Sequence, residues 1–395
     1  MGISVVGNLQ KIRSAMNNDS QFDAAVIGGG LAGLSFSILL ARAGHSVILF
    51  EKEKYPFHKV CGEYISLESL EFLKTLGIDP DILQLPGINK LIVTAPNGKM
   101  LKQHLVSGGI GISRYLLDNL LMQEAVATGV SVQQQVKVKD IHFHEEIFSV
   151  ETTQRNKIQS KIVIGAFGKK SNIDIQWKRP FSFAARNKIN NYIGIKYHIK
   201  TDFPNDTVAL HNFENGYCGL SKIEGDLHNL CYMTTAENLQ KWNGDIHQME
   251  KNILCRNPHL KAIFENSQFE SKKPVAISQI SFDEKTQVEN HVLLTGDAAG
   301  MITPLCGNGM SMALHSAKIA STLAREFLEQ KITRTKMEES YKTQWQQAFS
   351  NRLKTGRRLQ TFFGNRFLSD FLITILKPFP LLIKYFIGKT HGKAF

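Results

Sequence analysis

The chain has few cysteines, and they form no recognisable pattern. Its 395 residues include five cysteines, an odd number, widely spaced and without a Cys-x-x-Cys pair. Disulfide-stapled folds and structural zinc sites need closely ordered cysteines, so both classes of protein are excluded. We therefore expect no metal site and a chain that works in a reducing compartment.

Long uncharged apolar segments are also missing. Residues 1–21 contain no apolar stretch followed by small residues, so we expect no secretory signal. The longest uncharged apolar runs near the C-terminal end are 371–376 and 378–383, far below the ~20 residues of a membrane-spanning helix. The prediction is a cytoplasmic protein, with any membrane association limited to the cytoplasmic face.

Acidic residues are scarce relative to basic ones, which gives a formal net charge of +12. Nine basic residues and one acid lie between 351 and 395, so most of the excess is there. No zinc-finger spacing, helix-turn-helix signature or aromatic RNP-like string accompanies this charge, and we exclude nucleic acid as a partner. Two interpretations of the basic, phenylalanine-rich residues 361–395 stay open. They form either a peripheral contact with an anionic membrane or a helix pair packed on the substrate domain defined below.

The composition, 43% hydrophobic and 21% charged, is typical of a globular protein, and the length suits two or three lobes. Near the start, an apolar run at 24–27 predicts a buried strand, and residues 34–43 predict a helix that Gly44 ends. A second apolar run at 47–50 predicts the next strand, which Glu51 closes. Strand, glycine-rich turn, helix, strand and acid are the ordered parts of a dinucleotide-binding βαβ unit.

The turn of this unit carries glycines in Gly-x-Gly-x-x-Gly spacing. Gly28 permits the tight turn, Gly30 lets the backbone approach a pyrophosphate, and Gly33 lets helix and strand pack closely. The pyrophosphate is expected on the amides at the helix N-terminus, Leu31-Ala32. Glu51 is placed to accept hydrogen bonds from the adenosine ribose, and its charge disfavours a 2′-phosphate there.

A second motif begins near residue 292. An apolar strand, the pair Gly296-Asp297, the loop Gly307-Asn308-Gly309 and a one-sided apolar helix at about 310–328 follow in order. This succession resembles the para-hydroxybenzoate hydroxylase and geranylgeranyl reductase superfamily of FAD-dependent oxidoreductases. The resemblance implies FAD as the cofactor, with Asp297 on its ribityl chain and the loop and helix N-terminus at the pyrimidine end of the flavin. Amides there would stabilise the negative charge of reduced flavin.

Further segments support the resemblance. It places Arg114, just before a helix predicted at 116–127, against the cofactor, and Val136, in the next predicted strand, beside adenine. Where the superfamily carries an aspartate before a glycine, this chain has Phe167-Gly168. That aspartate is associated with the nicotinamide donor in hydroxylases, so the electron donor, NAD(P)H or another, stays open.

The segment Lys59–Ser66 follows the second strand, where the superfamily brings a loop near the flavin. It resembles the Cys-Gly segment of geranylgeranyl reductases, and its Gly-Glu pair resembles a segment of flavin hydroxylases and halogenases. Cys61 is thus the candidate catalytic residue, able to tune redox chemistry or donate a proton if its pKa were lowered. The alternative is a buried, inert cysteine.

Two signatures of the superfamily are missing. Geranylgeranyl reductases carry a Tyr-x-Trp-x-Phe-Pro strand that lines the lipid pocket, whereas this chain keeps only Tyr217 and has Gly219, Ser221 and Lys222 instead. Flavin halogenases carry a Trp-x-Trp-x-Ile-Pro motif, whereas the three tryptophans here are isolated. The specific lipid substrate therefore does not carry over, and halogenation is disfavoured.

These motifs predict an α/β fold with three parts: a Rossmann-like FAD-binding domain of the glutathione-reductase type, an inserted, mostly antiparallel substrate domain, and a C-terminal helical basic region. The predicted boundaries are 20–85, 108–180 and 285–330 for the FAD-binding domain, 86–107 and 181–284 for the substrate domain, and 331–395 for the C-terminal region. The candidate cofactor-binding residues are Gly28, Gly30, Leu31, Ala32, Gly33, Glu51, Lys52, Arg114, Val136, Asp297, Gly307, Asn308 and Gly309.

Three functions are compatible with the sequence. The leading prediction is a monooxygenase that uses reduced FAD and O2 on a hydrophobic phenolic or polyketide-like small molecule. The first alternative is saturation of an isoprenoid or other alkene, as in geranylgeranyl reductases. The second, from a different class, is a non-catalytic protein that binds FAD as a scaffold or sensor.

Overall fold

The computed structural model describes residues 21–154, 157–184, 192–303, 307–360, 370, 373–375, 378, 388 and 392–395. The strands are β1 Gln21–Ile27, β2 Val47–Glu51, β3 Tyr64–Ser66, β4 Gly87–Thr94, β5 Met100–Gly111, β6 Ser131–Gln134, β7 Val138–His144, β8 Ile147–Thr152, β9 Lys157–Gly165, β10 Tyr192–Lys200, β11 Thr207–Phe213, β12 Gly216–Lys222, β13 His228–Thr235, β14 Gln268–Phe269, β15 Val275–Ile280, β16 Val288–Glu289 and β17 Val292–Leu294. The α-helices are α1 Leu31–Arg42, α2 Leu70–Thr75, α3 Arg114–Ala127, α4 Asn172–Gln176, α5 Phe181–Ala184, α6 Ala236–Gln240, α7 Ile246–Asn252, α8 Pro258–Asn266, α9 Gly309–Leu328 and α10 Arg334–Gln360.

The first sheet has a parallel centre. Its strand order is β16-β17-β9-β1-β2-β6, and the β7–β8 hairpin extends it from β9. The neighbours from β17 to β6 are all parallel. Residues 24–26 of β1 are completely buried, because helices cover both faces of such a sheet. Side chains of α1, α9 and α10 join the same hydrophobic core.

The second sheet is mostly antiparallel. Its order is β14-β10-β13-β12-β11-β4-β5-β3, with β15 also paired to β10, and β11–β4 is its one parallel pair among the described strands. Alternate residues of β10, such as Ile195 and Ile199, pack in a separate core that includes residues of α7 and α8. The opposite face of this sheet looks toward the loops of the first sheet. The predicted α/β class with a mostly antiparallel second sheet is confirmed.

Local differences from the predictions are small, with one exception. The first helix starts at Leu31, three residues earlier than predicted, and the helix predicted at about 310–328 starts at Gly309. Val136 was predicted within a strand, and this is wrong, because β6 ends at Gln134 and Val136 lies between β6 and β7. Gln135 has φ +60, a left-handed conformation that breaks the strand there.

The C-terminal region begins as a long helix that packs on the first sheet. The Tyr341 hydroxyl of α10 donates to the carbonyl of Leu294 at 2.6 Å. Most of 361–395, for which the membrane contact was predicted, lies outside the described residues. Of its described part, the Phe395 ring stacks on His315 with centroids 4.2 Å apart. Among the described helices, none combines the length and apolar character needed to cross a bilayer.

Candidate functional site

At two of the glycines between β1 and α1, a side chain would clash with backbone atoms. Gly28 has φ +106, and a Cβ there would lie 2.3 Å from the carbonyl oxygen of Ala166. A Cβ on Gly33 would lie 2.0 Å from the carbonyl oxygen of Gly28. Gly30 precedes the first turn of α1, which has neither a side-chain cap nor an acidic residue. The amides at Leu31-Ala32 are therefore left for an anion.

Glu51 is buried at the end of β2 and is held by backbone amides. Its Oε2 accepts from the N–H of Gly29 at 2.9 Å, and its Oε1 accepts from the N–H of Glu53 at 3.0 Å. The N–H of Val136 donates to the Glu51 carbonyl at 3.0 Å. The neighbouring Lys52 side chain is exposed, with its ammonium 3.9 Å from the Glu53 carboxylate. The carboxylate of Glu51 thus has a fixed orientation beside the glycine turn.

Two cations face Gly30 from other parts of the chain. A Cβ on Gly30 would lie 3.6 Å from Arg114 Nη2 and 3.8 Å from Lys59 Nζ. Both pair with the buried Asp118: Arg114 Nε lies 2.7 Å from Oδ1, and Lys59 Nζ lies 2.9 Å from Oδ2. The helix N-terminus and these two cations therefore converge on one place, which suits a diphosphate.

Arg114 and Asp118 each stabilise the charged form of the other. Burial would lower the pKa of Arg114, but the Asp118 carboxylate outweighs it and holds that pKa above its ordinary value. Burial would raise the pKa of Asp118, but Arg114 and Lys59 hold it below its ordinary value. The sequence analysis missed both Lys59 and Asp118. The i,i+4 spacing of Arg114 and Asp118 on a helix was the available signal.

Asp297 lies in a single helical turn, Gly296–Ala298, directly after β17. Its pKa is raised by burial, an effect partly offset by Lys285 and Arg114. Within the described part of the chain its carboxylate receives no hydrogen bond, so it is available to hydroxyl groups of a ligand. Helix α9 begins beyond it at Asn308-Gly309, without a side-chain cap or an acidic residue in its first turn.

Two buried hydroxyls near these loops also lack partners among the described residues. They belong to Thr295, next to the Gly-Asp turn, and to Tyr64. The Tyr64 ring lies beside Gly307, where an added Cβ would be 3.1 Å from ring carbon Cδ1. The Asp297 carboxylate and the unpaired hydroxyls suit the polyhydroxyl chain of FAD. The uncapped N-termini of α1 and α9 suit its diphosphate and the edge of its flavin. The residues present therefore fit this cofactor.

The loop that carries Cys61 is fixed between helix α9 and the second sheet. Cys61 Sγ lies 3.3 Å from Sδ of Met310 in the first turn of α9. Asn229 Nδ2 donates to the Cys61 carbonyl at 3.0 Å, and the Ser221 hydroxyl donates to the Gly62 carbonyl at 3.4 Å. Burial raises the pKa of the Cys61 thiol, with Arg114 opposing that rise. Cys61 is thus a neutral thiol near pH 7, and the lowered pKa that a reactive thiolate requires is not found.

Glu63 joins this loop to the second sheet. Its buried carboxylate accepts from Lys196 Nζ at 2.6 Å, from the N–H of Arg114 at 2.8 Å and from His198 Nε2 at 2.7 Å. Its backbone has φ +52, a strained conformation for glutamate. Burial would raise the pKa of Glu63, but His198 and Lys196 hold it below its ordinary value. The sequence analysis assigned no role to Lys196 or His198.

An apolar cluster occupies the same face of the second sheet. Because side chains alternate along a strand, Tyr217 of β12 shares its face with Ser221, which reaches the Cys61 loop. The members of this apolar face are Tyr192, Leu210, Tyr217, Met233, Ile277, Ile280, Phe282 and Met301. A cleft of about 290 Å³ adjoins it, with Phe282 and Met301 on one side and Trp345 of α10 on the other. Two members of the apolar face therefore reach this cleft, whose other lining residues are mostly polar or charged.

These observations define the class of the chain: it is an FAD-dependent oxidoreductase, as the second motif had predicted. The match to known families agrees with this class. A family model described as "FAD binding domain" covers residues 21–344, and the chain belongs to that family.

Comparisons with individual proteins show the breadth of this group. The chain is 22% identical to conditioned medium factor receptor 1 of Dictyostelium discoideum, over 96% of this chain and 84% of that protein. It is 24% identical to digeranylgeranylglycerophospholipid reductase 2 of Methanopyrus kandleri, over 87% of each chain. The structure of a geranylgeranyl bacteriochlorophyll reductase-like protein from Thermoplasma acidophilum superposes with a TM-score of 0.78 at 17% identity, covering 95% of this chain and 97% of that one.

Proposed function

We propose that the chain is an FAD-dependent monooxygenase that adds one oxygen atom of O2 to a hydrophobic phenolic or polyketide-like small molecule. The second oxygen atom leaves as water, and NAD(P)H or another donor supplies the two electrons. The observation that carries this proposal is the aromatic content of the apolar face. Tyr192, Tyr217 and Phe282 offer ring surfaces that suit a flat aromatic substrate.

The apolar face also lacks the aromatic strand that lines the lipid pocket of geranylgeranyl reductases. Gly219 lies beside Leu210 and Cys231 in the strand register, on the same side as Tyr217. A Cβ on Gly219 would meet nothing closer than 3.6 Å. The tryptophan and phenylalanine that geranylgeranyl reductases carry along this strand are thus replaced by the smaller Gly219 and Ser221.

Different residues bind the cofactor and the substrate. When bound, FAD supplies the redox chemistry. The α1 N-terminus, Arg114 and Lys59 bind its diphosphate, and Asp297 binds the ribityl hydroxyls. The apolar face excludes water from the substrate and orients it, since displacing water from apolar surface is favourable by about 25 cal/mol per Å².

A second candidate is hydride transfer to an isolated alkene. It is favoured by the position of Cys61, a neutral thiol held against the first turn of α9, which could protonate a substrate carbon. The similarity to digeranylgeranylglycerophospholipid reductases points the same way.

One experiment separates the two. The FAD-loaded protein is reduced photochemically, which removes the need to know the donor, and mixed with a long-chain alkylphenol or with geranylgeraniol. The proposal expects ¹⁸O from ¹⁸O2 in the alkylphenol product and no product without O2. A product that gains two hydrogen atoms under anaerobic conditions establishes the reductase instead, and overturns the proposal.

A variant pair tests the location of the substrate. Met233→Trp fills the apolar face and should raise KM for the substrate at least ~10-fold, the scale of a pocket mismatched by one or more methylenes, with unchanged FAD content. Ile82→Trp, at a side chain that is 80% exposed, is the matched control and should change neither. Equal KM values for the two variants would place the substrate elsewhere.

A further inference from the structure

Three buried side chains donate hydrogen bonds to the backbone of the turn that carries Asp297. The consecutive carbonyls of residues 297–299 each accept a hydrogen bond from a different residue. The donors are Lys285 Nζ at 2.8 Å, Arg179 Nη2 at 3.1 Å and Gln287 Nε2 at 3.2 Å. Lys285 and Gln287 belong to one short segment before β16, whereas Arg179 follows α4. Three successive carbonyls of this short helical turn and of the residue after it are thus bonded to side chains.

Of the three donors, Lys285 is the one that also bonds to the loop at Lys169. Its ammonium donates to the carbonyl of Lys169 at 2.7 Å, and it lies 4.1 Å from the ring centroid of Phe181. Lys169 follows Phe167-Gly168, the loop in which this chain lacks the aspartate that its superfamily carries. One buried cation therefore connects that altered loop to the turn of Asp297.

A peptide group is planar, so a carbonyl that is fixed on one side also fixes the direction of the adjacent N–H. Holding the carbonyls of 297–299 thus sets the direction of the amides of 298–300 and constrains the backbone that carries Asp297. We infer that Lys285 is a positioning residue for FAD, which aligns the Asp297 turn with the Phe167-Gly168 loop so that both can contact the cofactor. Arg179 and Gln287 complete the support.

The surroundings of Lys285 make its charge sensitive to the cofactor. Burial lowers the pKa of Lys285 to about 8, and Asp297 opposes that effect. The charged groups that face it are Asp297, Asp174, Arg179 and Asp283. Lys169 also faces Asp297, and burial lowers its pKa to about 8. The ammonium form is favoured when the anionic FAD is bound, so FAD affinity should fall as pH rises through about 8.

The test is FAD affinity, measured by fluorescence quenching when apoprotein is titrated with FAD at pH 7. Lys285→Met should weaken binding about tenfold or more, because it removes two charge-assisted hydrogen bonds. Lys170→Met is the matched control, because Lys170 Nζ contacts Gln279 at 2.8 Å and not the 297–299 turn. It should bind FAD within about twofold of the parent protein. Equal affinities for Lys285→Met and the parent would overturn the inference.

A pH series separates positioning from simple loss of stability. Lys285→Arg keeps a charge at every pH and should flatten the loss of FAD affinity between pH 7 and 9, whereas Lys169→Arg should not. If Lys285→Met fails to fold, the pH series of Lys285→Arg still tests the role of Lys285. An alkaline loss that persists unchanged in Lys285→Arg, or that disappears only in Lys169→Arg, would show that Lys285 does not act in this way.

Discussion

The buried cluster around Glu63 offers the sharpest test of how the Cys61 loop is held on the second sheet. Glu63→Gln removes the negative charge that neutralises Lys196, whose side chain is only 1% exposed. Breaking a buried ion pair by removing one partner costs about 3–5 kcal/mol, because the other charge stays buried without compensation. We therefore expect the free energy of unfolding to fall by about that amount.

The assay is urea unfolding of the FAD-loaded protein followed by circular dichroism, with FAD in constant excess. The double variant Glu63→Gln with Lys196→Met removes both charges and should recover at least half of the loss, since the two residues are in contact and their effects are not additive. Glu224→Gln is the control. Its carboxylate accepts from the N–H of Ser113 at a partly exposed site, and its loss should cost about 1 kcal/mol at most.

Acidification gives an independent check. The folded-state pKa of Glu63 lies below its ordinary value, so its stabilisation is present above the unfolded pKa of about 4.3 and is lost as pH falls further. The stability difference between the parent and Glu63→Gln should therefore shrink in acid. A loss below about 1 kcal/mol at pH 7, or a double variant no more stable than the single one, would refute the argument that Lys196 depends on Glu63.

The remaining predictions concern the cofactor, the Cys61 thiol and the basic residues 361–395. Glu51→Ala should weaken FAD binding by ~1.5–3 kcal/mol, the contribution of a hydrogen bond to a charged group, and heat should release FAD rather than FMN or NAD from the parent protein. Cys61→Ser should keep its FAD content and lose ~10²-fold in turnover if the thiol transfers a proton. At pH 8, iodoacetamide should react more slowly with the Cys61 thiol than with the thiol of free glutathione, because burial raises the pKa of Cys61. We also propose, from charge alone, that residues 361–395 bind vesicles of anionic lipid in a salt-sensitive manner, and a full-length protein that stays in the supernatant at low salt contradicts this.

The sequence predicted the parts of the site whose residues lie close together along the chain. Gly28, Gly33 and Glu51 lie within one βαβ unit, so their spacing alone determines that they meet. Asp297 was found through its resemblance to a known motif. Lys285 could not be found in this way, because its bond to the Asp297 carbonyl depends on an irregular segment with no periodicity to read.

The residues that sequence analysis missed lie far apart in the chain. Glu63 and Lys196 are 133 positions apart, and only the pairing of β10 in the second sheet brings them together. A buried lysine on a strand is indistinguishable in sequence from a solvent-facing one, since both interrupt an apolar alternation. Val136 was misplaced for a related reason: the left-handed Gln135 turns the backbone away from β6 and directs the next N–H to Glu51.

The order in which the first sheet is completed has a consequence for biosynthesis. Strand β9 pairs on one side with β1, made early, and on the other with β17, where Leu293 lies opposite Ile164. While the ribosome translates strands β10 to β16, the end of β9 at Ile164 and Gly165 has no neighbour on that side, where β8 already pairs with residues 157–160. An unpaired strand edge is a site of aggregation, so the nascent chain needs protection until β17 and the Asp297 turn emerge. The carboxylate of Asp297, which we propose to bind the ribityl chain of FAD, is therefore available to the cofactor only late in synthesis.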